Sequence, residues 1–98
     1  MPALSAEQIN LHLKAIPDWL KHAKTIGRTY KFETFLLGIA FVRRVAKRSD
    51  KLKHHPDIDI RFDKVALTLT THDEGGITEK DFAMARQCDE VFAKFLEP

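Results

Sequence analysis

Apolar positions along the chain change their spacing several times, and each change marks an element. Ser5 followed three places later by Gln8 forms a capping box, and Leu4 can staple to Ile9 across that helix start. Ile9, Leu13 and Ile16 then recur at helical spacing, which predicts a first helix running to Ile16. Pro17 ends it there, because the residue before proline avoids the α region. From Trp19 to Phe32 the period falls to two, with Ile26, Arg28, Tyr30 and Phe32 on one parity and Gly27, Thr29 and Lys31 on the other. That stretch reads as a hairpin whose first strand is weakly marked.

Thr34 can cap a second helix in which Phe35, Ile39, Val42 and Ala46 line one stripe, with Arg43, Arg44, Lys47, Arg48 and Lys51 on the opposite side. Pro56 closes that segment. Ile58, Ile60 and Phe62 next alternate with Asp57, Asp59 and Arg61, and Val65, Leu67 and Leu69 alternate with Ala66, Thr68 and Thr70. If Asp63 and Lys64 form the whole turn between these two strands, Phe62 pairs with Val65, Ile60 with Leu67 and Ile58 with Leu69. Gly75 and Gly76 mark a loop, and Thr78 with Asp81 forms another capping box. A third helix follows, carrying Phe82, Ala85, Cys88 or Asp89, Phe92 and Leu96 at helical spacing. The order predicts an α+β fold, a four-stranded antiparallel sheet with three helices packed on one face. No repeat or linker divides residues 1–98, so one domain is expected.

Composition narrows the classes of function. A length of 98 residues with 44% hydrophobic and 31% charged content suits one folded domain. Sixteen basic against 14 acidic residues, a net charge of +2, is too balanced for a chain built mainly to hold nucleic acid, and the basic stripe of the second helix reads as a solvated face. One cysteine, Cys88, excludes an internal disulfide, and nothing resembles a signal peptide, so the cytoplasm is the expected compartment. The longest apolar run, Phe35 to Val42, is far shorter than the roughly 20 residues of a membrane span. Phe82, Val91, Phe92, Phe95 and Leu96 give the third helix more apolar surface than a small sheet readily covers, which points to self-association.

The chemistry concentrates in histidines. Extending the register of the second hairpin sets His55 opposite His72, and His54 lies beside them, while Pro56 biases His55 toward an extended backbone. Neighbouring imidazoles can divide into a proton donor and an acceptor near neutral pH. Asp50, four residues before His54, can orient or charge-stabilise an imidazole if the helix runs that far. Three histidines also raise a zinc reading, but adjacent His54 and His55 have no established ligand spacing and Cys88 stands apart on the third helix, so no metal is expected. His12 and His22 lack such company and read as structural or exposed.

The ordered set Asp50-Lys51-Leu52-Lys53-His54-His55-Pro56, Lys64-Val65, Thr71-His72-Asp73, Gly76, Thr78 and Asp81 resembles the pterin-4a-carbinolamine dehydratases over nearly the whole chain. The resemblance implies the same four strands and three helices, and the elimination of water from 4a-hydroxytetrahydropterin to the quinonoid dihydropterin, without metal or organic cofactor. His54, His55 and His72 match the family's catalytic histidines, with acid and base unassigned among them. Asp50 falls where many members carry Glu, and Asp81 on a family acidic position; with Pro56, Thr71 and Asp73 these are the candidates for binding or orienting substrate. The resemblance further implies a homodimer or homotetramer, and a functional link to an aromatic amino acid hydroxylase. Ile58 stands where some relatives have Trp, Glu74 where animal members have Cys, and the first hairpin is shorter, so the pocket wall is where this chain departs. The rival expectation is a non-enzymatic oligomeric binding or regulatory protein that retains the fold and the histidines.

Overall fold

The capping box at the first helix forms as the sequence requires: Ser5 Oγ accepts from the Gln8 N–H at 3.2 Å, and Gln8 Oε1 accepts from the Ser5 N–H at 2.9 Å. The structure, a computed structural model, describes residues 2–96. Its elements in chain order are α1 (Ala6–Leu13), β1 (Leu20–His22), β2 (Thr25–Lys31), α2 (Phe35–Leu52), β3 (Asp57–Arg61), β4 (Lys64–Leu69), a 3-10 turn (His72–Glu74) and α3 (Glu79–Leu96). Helix α1 stops at Leu13, one turn before the expected end, and a further turn carries Ile16 into the core. Among the described residues no helix is long and apolar enough to cross a membrane.

The four strands form one antiparallel sheet in the order β1-β2-β4-β3. Ile26, Tyr30, Val65, Leu67 and Leu69 bury the face that the helices cover. The register of the second hairpin differs from expectation by two residues. Ile58 pairs with Leu67 and Ile60 with Val65, and the turn consists of Phe62 and Asp63 between the paired Arg61 and Lys64. A shift of two conserves which face each side chain occupies, so the apolar positions still sort together. The turn places Phe62 at φ 52°, the left-handed region, and the first hairpin does the same with Ala23 at φ 53°. Each of these residues occupies a position where such a turn favours glycine.

Helix α2 buries Gly38, Phe41, Val45 and Ser49, rather than the expected stripe of Phe35, Ile39, Val42 and Ala46. At Gly38 the helix backbone packs against β4 and Phe32 at ordinary contact distance, since a Cβ there would stand 3.4 Å from Val65 Cγ2 and 3.5 Å from the Phe32 ring. Phe41 is fully buried, with its ring centroid 4.7 Å from that of Tyr30 and 5.1 Å from that of Phe32. Truncating it to alanine would cost about 3 to 5 kcal/mol. Helix α3 buries Phe82, Met84, Ala85, Cys88 and Val91 and half-buries Phe92 and Phe95, so most of its apolar surface serves the core, not an interface. Exposed apolar side chains cluster at the start of α2, in Phe35, Leu36, Leu37 and Ile39, and along β3 and its turn, in Ile58, Ile60 and Phe62, with Leu11, Leu20, Leu52 and Leu96 exposed singly elsewhere.

A polar hub ties the first hairpin to α3. Asp89 Oδ1 accepts from Trp19 Nε1 at 3.0 Å, Arg28 Nη1 at 2.8 Å and the Tyr30 hydroxyl at 2.6 Å. Burial, with the Asp89 carboxylate beside it, pushes the Tyr30 phenol above its ordinary value.

Candidate active site

The end of α2 sets the first wall of the site. Lys53 adopts the left-handed conformation at φ 55° and ψ 40°, and the His54 N–H closes back on the Ser49 carbonyl at 3.1 Å. This C-terminal closure turns the chain sharply, and buried Pro56 then carries it extended into β3. The second wall comes from β4, which ends at Leu69 and leads through Thr70 and Thr71 into the His72–Glu74 turn. A backbone bridge between Thr71 and Gly76 pins the base of that loop.

Between the walls lies an open cleft of roughly 300 Å³ lined by Lys53, His54, His55, Thr70, Thr71, His72, Asp73 and Lys80. All three expected histidines border it. They do not meet through strand pairing as anticipated, because the observed register puts the line of His55 opposite Thr70, and His72 lies beyond the strand in the 3-10 turn. The C-terminal closure of α2 and the loop after β4 bring them to the same cleft by different routes.

The three imidazoles have three different surroundings. His54, only 13% exposed at the side chain, bonds through Nε2 to Asp81 Oδ1 at 2.5 Å, and Asp81 is fully buried. The other carboxylate oxygen, Oδ2, accepts from the Thr78 N–H at 2.9 Å and from the Thr71 hydroxyl at 3.0 Å. The Thr71 and Thr78 hydroxyls are themselves 2.8 Å apart, and Thr78 Oγ1 accepts from the Lys80 N–H at 3.2 Å. This is half of the expected capping box turned to a second use: the Asp81 carboxylate caps the start of α3 and also holds an imidazole. A carboxylate taken out of water needs such partners, since an unpaired buried charge is costly.

His55 is largely exposed, and its Nε2 lies 2.9 Å from Oδ1 of Asp50, itself 83% exposed at the side chain. Asp50 thus reaches His55 rather than His54, because the left-handed Lys53 swings the His54 ring toward α3. Among the described residues, the exposed His72 imidazole has no hydrogen-bond partner. Asp73 lies beside it on the rim. Lys53, Thr70 and Lys80 also border the cleft, although none of them was among the candidates for the site; Lys53 and Lys80 adjoin His54 and Asp81 in the chain, and that adjacency was the available signal. His12 stacks on Phe82 at 4.7 Å between ring centroids, away from this cleft, and His22 is exposed. Among the described residues, no group of three or more His, Cys, Asp or Glu side chains is arranged to hold a metal ion.

Comparison with known proteins bears on the same residues. The family model described as Pterin 4 alpha carbinolamine dehydratase matches residues 2–91. A protein of Chloroflexus aurantiacus named for pterin-4-alpha-carbinolamine dehydratase is 50% identical over 91 residues, spanning 93% of this chain and 98% of that one. A similarly named protein of Herpetosiphon aurantiacus is 45% identical over 93 residues, spanning 95% of this chain and 97% of that one. The crystal structure of a transcriptional coactivator/pterin dehydratase from Brucella melitensis superposes with a TM-score of 0.87 at 34% identity, covering 91% of this chain and 97% of that one. The fold, the match along residues 2–91 and the identity to these relatives agree that the chain belongs to the pterin-4a-carbinolamine dehydratase family.

Proposed function

We propose that the cleft binds a 4a-hydroxytetrahydropterin and that His54, His55 and His72 move the protons of its dehydration to the quinonoid dihydropterin. The observation that carries this reading is the convergence of three imidazoles, from the end of α2 and from the loop after β4, on one cleft. Hydroxide is a poor leaving group, so an acid must protonate the oxygen on C4a as its bond to carbon breaks. The lone pair of the adjacent ring nitrogen then forms the new carbon–nitrogen double bond, and a base takes the proton that this nitrogen loses. Water and the quinonoid dihydropterin are the only products of the single reactant, the proton given to the oxygen is matched by the one taken from nitrogen, and there is no net oxidation or reduction.

Asp81 supports this chemistry by holding His54. An imidazole that donates its Nε2 proton to a carboxylate has its remaining lone pair on Nδ1, so the buried pairing selects one tautomer. Asp50 acts more weakly on His55, since an exposed ion pair is worth about 0 to 1 kcal/mol. Pro56, Thr71 and Asp73 shape and border the cleft, with the Thr71 hydroxyl committed to Asp81. Under this reading the protein regenerates a pterin for an aromatic amino acid hydroxylase in the cytoplasm. The test is to generate the 4a-hydroxy compound and follow its decay spectroscopically; acceleration by the protein, abolished in a His54→Ala/His55→Ala/His72→Ala variant, supports the enzyme, and decay equal to that in buffer supports a non-enzymatic binding role.

The protein is further proposed to work as a homo-oligomer, a dimer or a tetramer. Strand β3 is an edge of the sheet, and its Ile58 and Ile60 are each 38% exposed. With the uncovered start of α2, this presents unpaired backbone groups and apolar side chains together, a combination that favours pairing with a second copy.

A further inference from the structure

Away from the histidines, the densest run of positive charge in the chain lies on one helix. From Arg43 onward, α2 carries Arg43, Arg44, Lys47, Arg48 and Lys51 against a single carboxylate, Asp50, which is engaged with His55. Arg44, Lys47 and Arg48 face Lys94 of α3 across a cleft of roughly 230 Å³ with Val91 as its apolar lining. Among the described residues, none of these four cations has a carboxylate within ion-pair distance. Like charges at spacings of three and four along a helix repel, and here nothing local offsets them.

Two of the cations are already held in place. Arg48 is half-buried and donates through Nη1 to Gln87 Oε1 on α3. The Arg44 guanidinium lies 5.1 Å from the centre of the Phe95 ring. Side chains ordered before binding lose less entropy when a ligand arrives. Guanidinium groups match phosphate oxygens in pairs, and the flanking ammonium groups add point charge. The space corresponds to that of roughly eight water molecules, enough for one or two phosphate groups, and Val91 offers no aromatic face on which a nucleic acid base would stack.

We propose that the α2–α3 cleft is an anion site for the phosphate or diphosphate group of a small molecule, separate from the histidine cleft. The test is a titration of the full chain with inorganic pyrophosphate, followed through backbone amide shifts and run beside a random-sequence DNA duplex. The expected result is saturable shifts confined to α2 from Arg43 onward and to α3 from Gln87 onward. Lys47→Gln/Lys94→Gln, which changes only exposed side chains, should weaken pyrophosphate binding by roughly tenfold or more, and Arg44→Gln should weaken it independently. Decay of the 4a-hydroxypterin should be unchanged in both variants, which separates this site from the catalytic reading. Shifts spread evenly over other surface lysines such as Lys14 and Lys21, or unchanged affinity in both variants, would overturn the proposal. Tighter binding of the duplex than of pyrophosphate, with the steep salt dependence of counterion release, would overturn it in favour of a polynucleotide surface.

Discussion

His54 and Asp81 lie 27 residues apart in sequence, yet Nε2 of one is 2.5 Å from Oδ1 of the other, and that carboxylate is fully buried. The Asp81 carboxylate is met by donors: the His54 ring, the Thr71 hydroxyl and the Thr78 backbone N–H. Asp81→Asn replaces one acceptor oxygen with a donor amide, which must face either the His54 N–H or the donors at Oδ2. The expected stability loss is about 1 to 3 kcal/mol, measured by denaturant unfolding. Turnover should fall by roughly ten- to a hundredfold, a loss borne by kcat more than KM if the role is to hold His54.

The pairing of His54 with Asp81 shows what the sequence disclosed and what it withheld. The three histidines were legible because two of them directly precede a proline and the third follows a strand of clear alternation. Their route to one cleft was not, because it depends on Lys53 adopting φ 55° and on Phe62 adopting φ 52°, and neither residue type announces a left-handed conformation. The misplaced turn at Asp63 and Lys64 follows from the second of these. The buried stripe of α2 was hidden for a different reason: Phe35 and Ile39 are apolar but exposed, so hydrophobic spacing alone could not tell the core face from an uncovered one. Strand parity survived both errors, because a shift of two residues leaves every side chain on its own face.

Phe62→Gly should relieve the left-handed strain in the second hairpin. The gain expected is about 0.5 to 1 kcal/mol, because glycine's freedom in the unfolded chain offsets part of the relief. Comparison of urea unfolding midpoints for a monomeric background checks it.

The Asp89 hub predicts a large effect on folding with little on the site. Asp89→Ala leaves the buried Tyr30 hydroxyl, the Trp19 indole N–H and the Arg28 guanidinium without their shared acceptor. The cost should reach roughly 3 kcal/mol or more, seen as a lowered thermal midpoint, while activity per folded molecule stays near wild type because none of these residues borders the histidine cleft.

Burial pushes the Cys88 thiol from its ordinary value of 9.0 up to about 12. Below pH 9 the thiol is protonated in both folded and unfolded chains, so its contribution is intact there. As pH rises from 9 toward 12 the unfolded chain loses its proton first, and stability falls. Tyr30 shifts in the same direction. Stability measured by circular dichroism should therefore decline through this alkaline range, and Cys88→Ala should soften the decline. At pH 8 an alkylating reagent should leave Cys88 untouched in the native protein and modify it on unfolding.

Self-association has its own measurement. Light scattering of dilute wild-type protein should give the mass of a dimer or tetramer, and Ile60→Lys or Leu36→Lys should shift it toward the monomer. A monomeric wild type would remove the proposed role of the β3 edge and the uncovered start of α2.

The central claim is that imidazoles from two separate segments act on one bound heterocycle. Its most direct test is the rate of 4a-hydroxytetrahydropterin decay with wild-type protein and with His54→Ala, His55→Ala and His72→Ala, each first confirmed as folded. The account predicts clear acceleration by wild type and a loss of roughly a hundredfold or more in at least one variant from each segment, His54 or His55 on one side and His72 on the other. Wild-type decay no faster than in buffer, or full activity in all three folded variants, would contradict it.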